Sequence, residues 1–287
     1  MLSIAFYHHF IGRKIYGINI YDLGVFIWDL GTFLGGVRSF VIYGIIGLIC
    51  FLLPIVGFQV PIVLEISLNI IFIPCIIFNA AVLATAYASK KYDIEAIEVN
   101  RSLYFTKDRV VFLCGGIAGT CGYLLLKFFD SLTLPCDHCS LVIVIIGVMG
   151  RLCIFREKGF ELPSLLDLQD FKLSFAIYQI FFAVLISFVS IFFVQLTNTI
   201  TIGFYISAIS IFITFYNPQF PIIHHICLVV GYTMMLTNNI MLAIFLGILS
   251  QFFYIGCHHI LNADKGTYID APALTIGVMT FIIFMIL

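Results

Sequence analysis

Apolar residues fill most of the chain in long runs separated by short polar joints, beginning near residue 38 and continuing to the C-terminus. An α-helix rising 1.5 Å per residue needs roughly 20 such residues to cross about 30 Å of hydrocarbon. Scanning for such runs predicts nine helices, at approximately 39–58, 68–88, 110–129, 140–155, 172–195, 197–216, 222–237, 240–257 and 270–287. The runs at 140–155 and 222–237 are short for a full crossing. They suit half-length, tilted or broken helices, so eight to ten crossings bracket the pattern. Residues 15–37 are also apolar but carry Asp22, Asp29, Gly31, Gly35 and Gly36, as an interfacial or re-entrant segment packed against protein would. The expected fold is therefore an all-α polytopic bundle, with an N-terminal segment at 1–37 and a single transmembrane helical domain at 38–287.

Composition strengthens the membrane reading. Of 287 residues, 62% are hydrophobic and 10% charged, and the mean hydropathy is +1.14. A soluble domain carries about 25% charged residues, so the solvent for this chain is the lipid bilayer. A net charge of -1 and a pI near 6.6 leave no basic footprint for nucleic acid. The stretch Met1–Gly12 precedes Arg13-Lys14, the reverse of a signal peptide's order, and predicts no cleavage. Residue 2 is Leu and the chain ends Phe-Met-Ile-Leu, so neither end carries a lipidation signal.

Placing the N-terminus inside puts every lysine and arginine on inner segments except Lys127, at a helix end. Such asymmetry is the positive-inside signature. It predicts a multi-pass protein of the cell membrane with its C-terminus outside.

Ionisable groups bordering hydrocarbon are costly, and their clustering points to a working site. His224-His225 opens the seventh run behind Asn217-Pro218-Gln219-Phe220-Pro221, and His258-His259 closes the eighth. The joint that follows holds Asp264, Lys265 and Gly266-Thr267-Tyr268-Ile269-Asp270-Ala271-Pro272. All these groups fall at inner ends of consecutive spans. His224, His225, His258, His259, Asp264 and Asp270 are thus the candidates for binding substrate or protons, because histidine titrates near neutral pH and a neighbouring carboxylate favours its charged form. The plainer alternatives are interfacial anchoring for the histidines and helix capping for Asp270.

Other features carry less chemistry. In the third run Gly115, Gly119 and the pair Ala118/Gly122 strip one helix face, for close helix approach or for an unwound stretch lining a path. Cys136-Asp137-His138-Cys139 has ligand-like spacing but lacks a second pair; a loop disulfide or plain thiols fit it as well. The charged stretch Ser89–Arg109 reads as a solvated helical extension. Ser164-Leu165-Leu166-Asp167 resembles the capped start of a short helix on the inner surface, and Arg151 is expected to snorkel to that surface. Pro135-x-x-His138 and Pro221-x-x-His224 open the fourth and seventh runs on opposite faces of the membrane, as an inverted repeat requires. The likeness stops after the next span.

The elements Asn217–Pro221 with His224-His225-Ile226, then Gly266 to Ala273, resemble those of uncharacterised prokaryotic polytopic membrane proteins. In that permease-like family a Pro-x-x-His-His-Ile element precedes a Thr-His-Ile-Asp-Pro-Pro-Ala element. This chain has Tyr268 for the family's His and Ala271 for its first Pro. The resemblance implies a site in this region and names no substrate. The sequence reading is a secondary carrier of an unidentified small solute, compatible with proton coupling and with a homo-oligomer, and calling for no cofactor. A scaffold that binds a partner protein is the first alternative. A metal-dependent membrane enzyme is the weaker one, since no zinc-helix motif is present; without a Walker loop, ATP-driven transport would need a partner chain.

Overall fold

The computed structural model describes residues 29–154, 173–217, 220–262 and 266–286. Asp22, Asp264 and the surface helix expected at Ser164 lie outside them. The described residues are helical throughout, without strands. In order, α1 is Leu30–Leu34, α2 Gly36–Ile55, and α3 Ile62–Ile66 continuing as a π-turn Ser67–Ile71. Next come α4 Pro74–Ala88, α5 Arg109–Leu132, α6 His138–Ile154 and α7 Leu173–Thr197. After them α8 Ile202–Ser210 tightens to a 3-10 turn at Ile211–Phe215, followed by α9 His224–Thr237, α10 Ile240–Asn262 and α11 Ala271–Ile286. Among the described residues four helices are long and apolar enough to cross a membrane: α2, α5, α7 and α10. A fifth span forms if α3 and α4, bent by 49° at their junction, count as one.

That bend corrects the expectation of a single helix over 68–88. Pro74 has no N–H to continue the ladder, and it sits at the start of α4. A second correction concerns Ser89–Arg109, where the only helix is the 3-10 turn Tyr104–Thr106. Tertiary contacts override its helix-like charge pattern. The Gly36 N–H donates to the Val99 carbonyl at 2.7 Å and the Leu103 N–H to that of Thr32 at 3.0 Å, while Ile94, Ala96, Val99 and Leu103 turn inward. The joint is thereby folded over α1 and the start of α2. Its end is fixed by Asp108, which caps α5 through the Val110 N–H and pairs with Lys91 at 2.6 Å. The Lys91 ammonium, helped by the Val110 N–H, holds the Asp108 carboxyl down at about 2.

Two helices are buried nearly all round. In α4 only Leu83 and Tyr87 escape burial, and α9 is buried from His224 to Gly231. With α2, α6, α8 and α11 they close a ring of six in which each packs on the next: α2, α4, α6, α11, α9, α8 and back to α2. Small residues let the backbones meet. A Cβ on Gly122 of α5 would strike the Cys75 carbonyl of α4, and one on Gly115 would strike the Thr32 hydroxyl of α1. A Cβ on Gly44 of α2 would come within 2.7 Å of the Tyr205 carbonyl of α8. The expected small-residue face of the third span is therefore a packing seam, with Gly115, Gly116, Ala118, Gly119 and Gly122 all buried.

The ends of the bundle can be traced from contacts. Arg38 at the start of α2 lies 5.7 Å over the Phe215 ring that ends α8. At the same end Arg151, closing α6, donates to the Thr267 carbonyl ahead of α11. Arg151 is 1% exposed, so its guanidinium does not reach the surface as the sequence suggested. The nearby carbonyl offers a partner at lower cost than extending past the joint. At the far end His138 holds Asp130 at 2.8 Å across the α5–α6 turn.

Filling the seam tests this packing. Gly122→Val should lower the melting temperature and yield of detergent-solubilised protein, since overpacking costs about 1–3 kcal/mol and here the obstacle is a backbone carbonyl. Gly277→Ala, whose Cβ would meet nothing within 4 Å, should melt as the parent does.

Candidate functional site

The twin histidines open α9, where the chain has just turned back after Pro221. Burial of the whole helix carries both rings inside, with His224 8% and His225 0% exposed. They diverge, as neighbours on a helix must. His224 fits against Phe40 of α2 and Phe204 of α8, with ring centroids 5.2 and 5.9 Å away. His225 turns toward α10, where its Nε2 lies 2.9 Å from the Gln251 Oε1. The Gln251 amide in turn donates to the Gln179 Oε1 of α7 at 2.7 Å. A polar chain thus crosses three helices inside otherwise apolar packing.

This chain sets the protonation of His225. Gln251 spends its NH2 on Gln179 and so presents its carbonyl to the imidazole. With the amides so oriented the ring donates from Nε2, and Nδ1 is left a bare acceptor. His225 Nδ1 is buried with no hydrogen-bond partner among the described residues, and so is His224 Nδ1.

The second doublet is joined to the first through Tyr254. Its ring lies 4.4 Å from that of His225 on one side and 5.9 Å from that of His258 on the other. His258 is exposed, whereas His259 is half-buried with Nε2 covered. Asp270 stands apart from both doublets in its bonding. Its Oδ1 accepts the Ala273 N–H at 2.9 Å and caps α11. Among the described residues no ion pair within 4.0 Å joins it to a histidine. The turn before it is clamped by Asn262, which donates to the Ile269 carbonyl and accepts its N–H. Asp264 lies outside the described residues.

Sequence reasoning passed over Gln179, Gln251 and Tyr254. The signal was present: an amide deep in each of two apolar runs needs a partner, because an unpaired polar group in hydrocarbon is expensive. Cys136 and Cys139 are free thiols, with Cys139 packed beside Cys75 of α4. No group of three metal-ligating side chains occurs among the described residues.

A family of unknown function (DUF7973) matches residues 52–174. The matched stretch runs from the end of α2 through α6 and stops short of the twin-histidine site. No curated protein and no solved structure matches the chain.

The His225–Gln251 bond has a measurable consequence. Gln251→Leu should destabilise the protein by about 1–3 kcal/mol, because it strands a buried N–H. The double variant His225→Phe with Gln251→Leu should recover part of that loss in the same melting assay. Equal losses in the single and double variants would show that the two side chains do not act as a pair.

Proposed function

We propose that this protein is a secondary carrier built from two halves of opposite orientation. The helices α1, α2, α4, α5 and α6 correspond to α7, α8, α9, α10 and α11. The neighbours correspond too: α4 packs on α1, α2, α5 and α6, and α9 on α7, α8, α10 and α11. Directions reverse, since α4 ends beside the basic joint 89–108 whereas α9 begins at that end, near Phe40.

The observation that carries the reading is the reciprocity where the halves meet. Asp137 caps α6 through the Ser140 N–H, as Asp270 caps α11 through that of Ala273. Ten residues after Asp270, Thr280 accepts the Asp137 N–H at 2.9 Å. Ten residues after Asp137, Gly147 lies against the Tyr268 carbonyl and Ile269. Each cap therefore rests on the same position of the other helix, the pattern a two-fold axis imposes. A matching pair lies within the halves: Gly115 faces Thr32 and Ala80, and Gly247 faces Ser187 and Val230. Inverted repeats closing around a central path are the architecture of many secondary transporters, in which one half rocks against the other.

Counting α3 with α4 as one span and α8 with its 3-10 turn, α2 to α11 make nine crossings, with α1 the short counterpart of α7. The correspondence also replaces the pairing suggested by Pro135-x-x-His138 and Pro221-x-x-His224, which matched α6 with α9. The basic end is inside on this reading and the C-terminus outside.

Orientation is tested by labelling. A maleimide that cannot cross the membrane should modify native Cys136 in intact cells and a cysteine at Ser102 only after permeabilisation; the opposite result would invert the protein. Carrier activity is tested by swelling of proteoliposomes in a panel of charged and uncharged solutes. Oxidising Thr280→Cys onto native Cys136 should lock the halves together and stop the flux reversibly. Gly203→Cys, oxidised onto Cys227 within one half, should leave it running, as the two Cβ positions are only 3.5 Å apart. Failure of every solute to enter, or flux unaffected by the first lock, would sink the carrier reading.

A further inference from the structure

An unpartnered acceptor at the start of α9 points to the kind of molecule the site takes. An imidazole lone pair sealed from water lacks the hydrogen bond it would have in solvent. His225 Nδ1 is such an atom, and it lies beside His224, whose Nδ1 is also unpartnered, on a helix whose N-terminus has no side-chain cap. His225 cannot relieve its own deficit by switching tautomer, because Gln251 and Gln179 require the hydrogen on Nε2. The site asks for a donor from outside the chain.

The surroundings narrow the class. Across the described residues of α2, α7, α8, α9 and α10, the single formal charge is Arg38, held over Phe215 at the inner end of α2. The wall beside His224 is made of Phe40 and Phe204, and the face of His225 is covered by Tyr254. A cation entering here would meet Arg38 and the positive end of the α9 dipole, with no carboxylate bonded to either ring to offset them. An anion offers acceptors where donors are needed.

We infer that the first turn of α9 is a binding site for a small uncharged solute that presents an N–H or O–H donor to His225 Nδ1, in the manner of a primary amide or urea. This deepens the carrier reading by naming the chemical class of its cargo. Gln251 and Gln179 act as positioning residues that set the His225 tautomer, while the His225 imidazole touches the solute. The aromatic walls exclude water, so that a hydrogen bond formed there is stronger than in solvent.

The test uses the purified full chain in detergent, with 15N-labelled histidine. An unprotonated imidazole nitrogen moves upfield when it accepts a hydrogen bond, so the His225 Nδ1 resonance reads occupancy directly. Acetamide and urea should shift it saturably. N,N-dimethylacetamide, equal in polarity but without a donor, should not. Gln251→Leu, or Gln179→Leu should the first fail to fold, should weaken the acetamide response by about tenfold, the equivalent of one hydrogen bond.

A shift produced equally by dimethylacetamide would overturn the inference, and so would a response to methylammonium but not to acetamide. A resonance already in the hydrogen-bonded position in plain buffer, and unmoved by any solute, would assign the site to a resident water and overturn it as well. Binding of acetamide without its entry into proteoliposomes would leave the site standing and remove the carrier. Flux of some other solute with no histidine response would do the reverse.

Discussion

Helices in lipid gain nothing by hiding apolar surface from one another, because the tails around them are as apolar as leucine. What holds this bundle is the distance to which backbones can approach. The seams lie where a missing side chain lets a helix meet a carbonyl: Gly122 on Cys75, Gly31 on Ile77, Gly44 on Tyr205, Gly231 on Ile200. Once those contacts are set, α4 and α9 have neighbours all round. The other helices of the ring follow from what fits against them, and the large side chains Phe181, Phe192, Phe245 and Met241 are left to face outward.

Much of this fold is legible in the residues. The apolar run at 110–129 lies within Arg109–Leu132, and that at 240–257 within Ile240–Asn262. The glycine face of α5 works as spacing alone suggests. Less legible was whatever depends on distant partners. Ser89–Arg109 has the charge pattern of a solvated helix, yet its backbone bonds go to Thr32 and Gly36, dozens of residues away. Arg151 looks like a snorkelling anchor until the Thr267 carbonyl comes within reach. The twin histidines could be located but not connected. Nothing in their spacing says that His225 would be met by Gln251 from one helix and, through it, by Gln179 from another. Asp270 was legible as a cap or a proton partner, and its bond to the Ala273 N–H is the cap.

Charge distribution and repeat follow different rules. The joint between α4 and α5 is long and charged, and it folds over the start of α2. Its counterpart between α9 and α10 is only Asn238-Asn239, with Asn238 in the left-handed region and Asn239 capping α10 through the Leu242 N–H. Were the two halves copies in every respect, their joints would match. On the proposed orientation one joint faces the cytoplasm and the other does not, and positive charge has collected where the membrane rewards it.

The brevity of Asn238-Asn239 has a mechanical side. With no slack between them, α9 and α10 form a rigid hairpin, clasped further by the bond from His225 to Gln251. At the other end of α10, Asn262 clamps the turn into α11. Three successive helices are thus coupled like the leaves of a stiff hinge plate. On the carrier reading, opening at the histidines is taken up where the second half meets the first, along α8 against α2 and α11 against α6. Both contacts are close approaches of glycine to backbone, Gly44 to the Tyr205 carbonyl and Gly147 to the Tyr268 carbonyl, so movement there would carry backbone along backbone without unlocking long side chains.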